Sequence, residues 1–384
     1  MHSTRRHSPY IRPDHPQPPA RWAALRSALH TTNVLARHAP HADTHDAHEG
    51  KGKGRQHHQG ERTPAEPQRE PDALLQQTFH IDRVATLAPT FPLSPTSASS
   101  SHFRAFASAL ERFLAQQLAL GLDPDLRVGR KDQLVQRVEA GYVNLRLGSK
   151  DGALRRPVLI QVELGDENPS SSRASTSSST ATFILLPSLP EDVVASALGS
   201  PAFPLLLSKS PSPSLTHLFT TFLSTRFDAL IHPFRIPPPS MLALLESLVR
   251  PGPPSPSSDD DAPISLATTL AFAFPPQIAR EGLSTLALTL PPEMLPSLVR
   301  SDSDEGGSFV ERLAAHLERH TALPLEAVEL VRVGAGRGSF VHSGAGAGGA
   351  GSGGARVKFF PGAEDDEGRE MRRVCEELVR GARR

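Results

Sequence analysis

The 384-residue chain carries 41 Lys+Arg against 41 Asp+Glu, so no global electrostatic field draws it to nucleic acid or anionic lipid. With 37 Pro, 28 Gly and 38% hydrophobic residues, only part of it can pack, and roughly 200 to 250 folded residues are expected. The single cysteine, Cys375, excludes intramolecular disulfides and multi-cysteine zinc sites, and the absence of an apolar run of about 18 residues predicts no membrane-spanning helix.

Residues 1–72 are predicted to form a disordered His/Pro/Arg-rich tail. They are polar and interrupted by proline, with too little apolar surface to offset the entropy lost on ordering. The arginine content of residues 1–40 also overlaps with that of a mitochondrial presequence. Because prolines break the helix that a presequence needs, the disordered tail is the favoured interpretation.

Residues 73–250 are predicted to form the N-terminal α+β part of the core. An alternating strand over 77–84 is followed by a helix that begins at Ser101 and ends at Gly121. The helix presents one apolar stripe, made of Phe103, Phe106, Leu110, Phe113, Leu114 and Leu118. Three more strands are predicted, over 135–147, 158–164 and 182–186.

Residues 205–249 predict two helices around a short extended segment. Ser212 and Pro213 suit a helix start, and apolar residues then recur at helical spacing at Leu215, Leu218, Phe219, Phe222 and Leu223. The segment 227–236 has no helical period, and Pro233 restricts it to an edge strand or a bent extended chain. A second helix is predicted from Ser240. The block contains no catalytic constellation, which indicates a surface for assembly.

A disordered spacer is predicted over 251–263, and residues 264–384 are predicted to form a C-terminal, partner-binding unit of sheet and helices. Its predicted strands cover 265–274, 283–290, 327–333, 339–342 and 356–360. Its predicted helices cover 292–299, 308–319 and 365–380. Strands and helices mix without regular βαβ alternation, so the fold class is α+β with a largely antiparallel sheet.

The glycine-rich loop from Gly334 to Gly338 resembles a phosphate-binding loop in composition. Such a loop must open a helix to bind a nucleotide, whereas extended Phe-Val-His sequence follows this one. A hairpin connection between two strands is therefore favoured over a nucleotide-binding enzyme. No catalytic residue, cofactor or metal site is predicted.

A basic set in the N-terminal part could converge on a phosphate backbone if its strands are adjacent. Its members are Arg127, Arg130, Lys131, Arg137, Arg155 and Arg156. A solvated sheet edge is the favoured interpretation of this set. A nucleic-acid-binding adaptor remains an alternative hypothesis for the chain.

Several blocks resemble the fungal centromere protein L family. FHIDRVATLAPTF resembles its opening strand, and LSTRFDALIHPFRIPPPSMLALLESLV resembles its helix, Phe-Asp segment, Pro turn and following helix. The residues that carry this second match are Phe227, Asp228, Ile231, Pro233, Pro237 and Ser240. FVERLAAHLERHTALPL, VELVRVGAGRGSFV and ARVKFF resemble a helix, a strand with a glycine-containing turn, and a further strand of the family.

The resemblance implies a non-enzymatic structural subunit of the inner kinetochore, which acts in chromosome segregation and lies in the nucleus at the centromere. It implies a curved antiparallel sheet with flanking helices, and pairing with a centromere protein N homologue through the C-terminal sheet. That pair would help to anchor the kinetochore at centromeric chromatin, with indirect or local contact to centromeric DNA. No cofactor and no membrane are implied.

Exposed sheet edges need a partner strand or another form of protection. The last sheet unit is expected to have such an edge, with alternating apolar residues on the partner surface: Val331, Val333, Phe340, Val357 and Phe359. Without the partner, a homodimer is an open alternative.

Overall fold

The computed structural model describes twelve stretches of the chain. They are residues 77–96, 98–120, 133–148, 155–166, 179–190, 201–249, 268–275, 284–299, 308–335, 339–343, 354–359 and 367–383. The predicted tail over 1–72 and the predicted spacer over 251–263 lie outside these residues.

One open sheet organises the described chain, and all its strand pairs are antiparallel. The strand order is β2-β3-β4-β5-β1-β11-β10-β9-β7-β8, and β6 pairs with β1 beside this path. The strands are β1 (Thr78–Thr86), β2 (Gln133–Tyr142), β3 (Val158–Asp166), β4 (Ser179–Leu186), β5 (Leu205–Lys209), β6 (Leu230–Pro233), β7 (Thr268–Ala273), β8 (Thr285–Leu290), β9 (Glu329–Ala335), β10 (Ser339–His342) and β11 (Arg356–Lys358).

Strand β1 joins the two halves of the sheet. It pairs with β5 from the N-terminal part on one side, and with β11 from the C-terminal part on the other. On the same side as β11, but further along β1, from Asp82 to Thr86, β1 pairs with β6. The sheet therefore runs without a break across the predicted boundary between 73–250 and 264–384, and a division into two units there stays a prediction.

The helices lie on opposite faces of the sheet. They are α1 (Ser100–Leu120), α2 (Pro213–Phe227), α3 (Pro238–Val249), α4 (Leu295–Val299), α5 (Phe309–Thr321) and α6 (Glu367–Gly381). Helix α5 has the best-defined start, because Ser308 and Glu311 bond reciprocally to each other's backbone N–H groups as a capping box. Ser212 precedes α2 as predicted but makes no side-chain cap hydrogen bond.

Two apolar cores result from alternation along the strands. On the α3–α6 face, Phe79 and Ile81 of β1 pack with buried residues of α3, α5 and α6. On the α1–α2 face, Val84 of β1 and Phe183 of β4 pack against α1 and α2. The α1–α2 core lies on the N-terminal half of the sheet, while the α3–α6 core extends across both halves of the sheet.

The predicted fold class is confirmed. Residues 227–236 do contain a short strand, β6, and the apolar stripe of α2 is buried as predicted. β5 has no counterpart in the sequence prediction. Its residues alternate between the two cores, with Leu205 and Leu207 in one and Leu206 in the other. A strand buried on both faces shows no polar alternation.

Helix α6 is attached to the N-terminal half through Gly148. The backbone N–H of Gly148 donates to Glu376 Oε1 at 3.0 Å, and Arg372 donates both to Glu376 Oε1 at 2.9 Å and to the Gly148 carbonyl. Gly148 has φ 110°, a conformation that favours glycine. Next to Glu376, burial raises the pKa of the Cys375 thiol to about 12, so this cysteine packs as an apolar side chain.

Replacing Glu376 with alanine is expected to lower the free energy of unfolding by about 1–3 kcal/mol, because it leaves two donors without their acceptor in a half-buried site. Glu377→Ala is the matched control: Glu377 pairs only with Arg380 one turn away among the ion pairs described, and its loss should cost about 0.5 kcal/mol or less. Urea unfolding of both variants measures the difference. Equal costs would show that the Gly148 contact does not hold α6.

Candidate docking site

The two outer strands of the sheet differ in their protection against pairing. β2 contains a bulge between Val135 and Arg137, and Arg137 forms an ion pair with Glu139 across the strand surface. Bulges and charges are the usual devices that prevent a further strand from pairing with an edge. β2 is therefore a protected edge.

β8 has neither device. Its sequence, TLALTL, is uncharged and free of proline, and its six residues pair with β7 without a register shift. Thr285, Ala287 and Thr289 are exposed. A neutral, regular outer strand of this kind invites pairing with a further strand unless a partner covers it.

The hydrogen-bond phase of β8 shows which backbone groups point outward. Phe274 N donates to Ser284 O at 3.1 Å, which marks this pair as a hydrogen-bonded position. Antiparallel ladders alternate between bonded and non-bonded pairs, so Leu286, Leu288 and Leu290 bond with β7. The N–H and C=O groups of Thr285, Ala287 and Thr289 then point away from the sheet.

β6 is a weaker candidate for pairing. It has four residues, ends at Pro233, and its Leu230 N donates to Thr86 Oγ1 at 3.0 Å. Leu230 is 59% exposed, but short edge strands with proline are themselves a form of protection. β8 is therefore the better candidate for strand pairing.

The expectation of an unpaired edge within the last sheet unit is wrong. β9 pairs with both β7 and β10, and β11 pairs with both β10 and β1. Of the predicted partner residues, four are buried, namely Val331, Val333, Val357 and Phe359. Val333, Val357 and Phe359 belong to the core that contains residues of α3, α5 and α6 of the same chain. Phe340 alone is half-buried, and its contact with a partner stays a prediction.

The predicted basic set does not come together as one surface. Arg127, Arg130 and Lys131 lie outside the described residues. Arg155 donates to the Ser188 carbonyl at 3.2 Å and to the Ser188 hydroxyl, and the Arg156 guanidinium lies 5.6 Å from the Tyr142 ring centroid. These two side chains thus have structural roles, while Arg137 lies on β2 in its pair with Glu139. A phosphate contact by this set stays a prediction.

The segment from Gly334 to Ser339 connects two strands. Gly334 lies in β9, Ser339 begins β10, and Ser339 pairs with Ala335; residues 336–338 lie outside the described chain. The hairpin interpretation is confirmed. A nucleotide-binding loop must open a helix, and here a strand follows.

Sequence analysis missed a basic row on the open face of the sheet. Arg332, His342, Arg356 and His80 are consecutive cross-strand neighbours on β9, β10, β11 and β1. We call this row the basic ladder. Arg332, Arg356 and His80 are exposed and His342 is half-buried. The signal lay in the polar positions that alternate with buried Val333, Val341, Val357 and Phe79, but only the strand register brings them together.

The ladder shifts the titration of its own histidines. Partial desolvation of the imidazole against the sheet, and then the neighbouring Arg356 guanidinium, lower the pKa of His80. Burial, followed by Arg356 and Arg332, lowers the pKa of His342. The Arg332 guanidinium lies 4.5 Å from the Phe340 ring centroid, a stacking contact that orients it.

Two other site types are not found in the part of the chain that the structure describes. No helix there is long and apolar enough to cross a membrane. No three side chains of metal-ligating types cluster there.

Comparison with known proteins identifies the family. The family model described as Centromere protein L matches residues 73–381, which is most of the chain. The chain belongs to the centromere protein L family. No individual curated protein matches it. The match shows the family and not the fungal subgroup, which stays a prediction.

Membership places this centromere protein L family member among the proteins of the kinetochore, in the nucleus and on the chromosome at the centromere. The family takes part in chromosome segregation, has inner-kinetochore partners, and consists of structural components that are not known as enzymes. For a structural component, the sheet edges and the basic ladder are candidate docking surfaces.

Proposed function

We propose that this protein is a non-enzymatic subunit of the inner kinetochore that pairs with a centromere protein N homologue through the outer edge of β8. The observation that carries the proposal is the contrast between the two ends of the sheet. β2 is protected by a bulge and by charges. β8 is neutral and regular, and among the described strands it pairs with β7 alone.

Strand addition to β8 would satisfy backbone groups that pair with no other described strand. Each outward N–H and C=O pair of Thr285, Ala287 and Thr289 would gain a partner in the added strand. Leu286 and Leu288 are half-buried, so an added strand would also bury apolar surface. In this proposal the resulting pair helps to anchor the kinetochore at centromeric chromatin, with contact to centromeric DNA made indirectly or locally.

Hydrogen–deuterium exchange of the complex tests the location of the interface. The amides of Thr285, Ala287 and Thr289 are expected to exchange rapidly in the free chain and slowly with the partner, because their N–H groups point outward. The bonded amides of Leu286 and Leu288 should change less, and β2 provides a second control. Protection that appears on β2 instead of β8 would place the interface at the other edge.

A second copy of the chain could occupy the same edge when the partner is missing. We propose that such a homodimer would pair the two β8 strands antiparallel, since a two-fold axis makes the same edge face itself. Addition of the partner homologue should then convert the homodimer into a heterodimer. A complex that contains both the homodimer and the partner would show that the homodimer and the partner use different surfaces of the chain.

A further inference from the structure

The basic ladder lies on the α1–α2 face of the sheet, at the point where the helices stop covering it. The row continues from His80 to Ser208 of β5 and then to Phe183 of β4. Phe183 is covered, with its ring stacked on Phe219 of α2 at 4.0 Å between centroids. The ladder therefore begins beside the helical layer, on the adjacent part of the sheet that no described helix covers.

The ladder concentrates positive charge on one face of the sheet. Arg332 and Arg356 lie on either side of His342 in neighbouring strands, and Lys358 lies opposite Phe340 in the adjacent row. Positive charges this close repel one another, and a ligand with clustered negative charge would be attracted to all three of them.

The extent of the ladder indicates a short ligand. Four strands span three inter-strand spacings, about 14 Å. Past Arg332 the row continues into Ala271 and Ala287, and past His80 it continues into Ser208. A duplex needs many phosphate contacts along a basic surface, whereas this patch ends in small neutral side chains on a chain of formal net charge +0. A peptide segment matches it better.

We propose that the basic ladder binds a partner's peptide segment that carries clustered carboxylate or phosphate groups. Arg332, oriented by Phe340, and Arg356 would form bidentate hydrogen bonds to these groups. His80 and His342 flank Arg356 and would donate to the same anions when protonated. The proposal concerns the face of the sheet and does not depend on pairing at β8.

Binding is expected to be linked to proton uptake. The groups that face the two histidines are Arg356, Arg332 and Ser208, with Asp82 next along β1, and the two guanidinium groups help to keep the imidazoles neutral in the free protein. A bound anion raises the histidine pKa values above those of the free chain. The added affinity is therefore fully present below the free-state pKa and is lost as pH rises through the bound-state pKa.

Fluorescence anisotropy with the full chain tests the proposal. The probe is a labelled polyglutamate peptide with one central phosphoserine. The variant R332A/R356A is expected to bind it at least about tenfold more weakly. H80Q/H342Q should keep binding near neutral pH but lose the rise in affinity that the unchanged protein shows between about pH 7.5 and pH 6.

The control R226A/R319A removes two exposed arginines from α2 and α5, helices that contribute no residue to the ladder. Its binding should match that of the unchanged protein. Equal weakening in this control, or no binding of the peptide, would overturn the proposal. Tighter binding of a short DNA duplex that is lost in R332A/R356A would overturn it too, and would assign the ladder to nucleic acid instead.

Discussion

Replacing Phe183 with alanine is expected to lower the free energy of unfolding by about 3–5 kcal/mol. Phe183 is fully buried in β4. Its ring lies nearly parallel to that of Phe219, at an interplanar angle of 14°. The substitution removes this stacked pair and leaves a cavity between the sheet and α2, at the point where the helical layer is held on the sheet.

Phe340→Ala is the matched aromatic control for this prediction. Phe340 is half-buried on the open face, so its loss creates no enclosed cavity and should cost clearly less. Midpoints of urea unfolding, at unchanged dependence on urea, measure the two costs. If the two variants were equally destabilised, α2 would not be held by the Phe183 contact.

The sequence predicted the elements whose alternation or helical period is clean. α2 has its apolar residues at helical spacing, and β7 and β8 lie within the strands predicted over 265–274 and 283–290. β5 was missed because it is short and both of its faces are buried, which removes the polar alternation that identifies a strand. β4 is buried on both faces as well and was predicted over 182–186, so a run of apolar residues can also indicate a strand.

The docking surfaces show a different limit. Val333 and Val357 were assigned to a partner surface because they alternate, but alternation identifies an apolar face without showing what covers it. In the folded chain α3, α5 and α6 cover that face. The basic ladder joins residues from positions 80, 332, 342 and 356. Its existence depends on the register of four strands, which no local pattern contains.

The open edge of β8 can be removed with one substitution. Ala287→Pro deletes an N–H group that points away from β7, and the fixed φ of proline is tolerated at an edge position whose N–H faces solvent. The bonds of Leu286 and Leu288 to β7 are retained in this variant. Ala287→Val is the matched control, because valine adds a similar side-chain bulk and keeps the N–H group.

Thermal unfolding should show that both Ala287 variants remain folded, since neither change reaches the buried cores. If Ala287→Pro does not fold, Ala287→Lys replaces it in the test. That variant keeps the whole backbone and protects the edge with a charge, as natural edge strands do. The lysine variant should then reproduce the loss of pairing.

The most direct measurement is co-purification of the chain with its centromere protein N homologue, for unchanged protein, Ala287→Pro and Ala287→Val. The account predicts that the proline variant binds the partner at least about a hundredfold more weakly and no longer co-purifies with it. The valine variant should still co-purify with the partner. Full retention of the partner by a folded Ala287→Pro chain would contradict docking at β8.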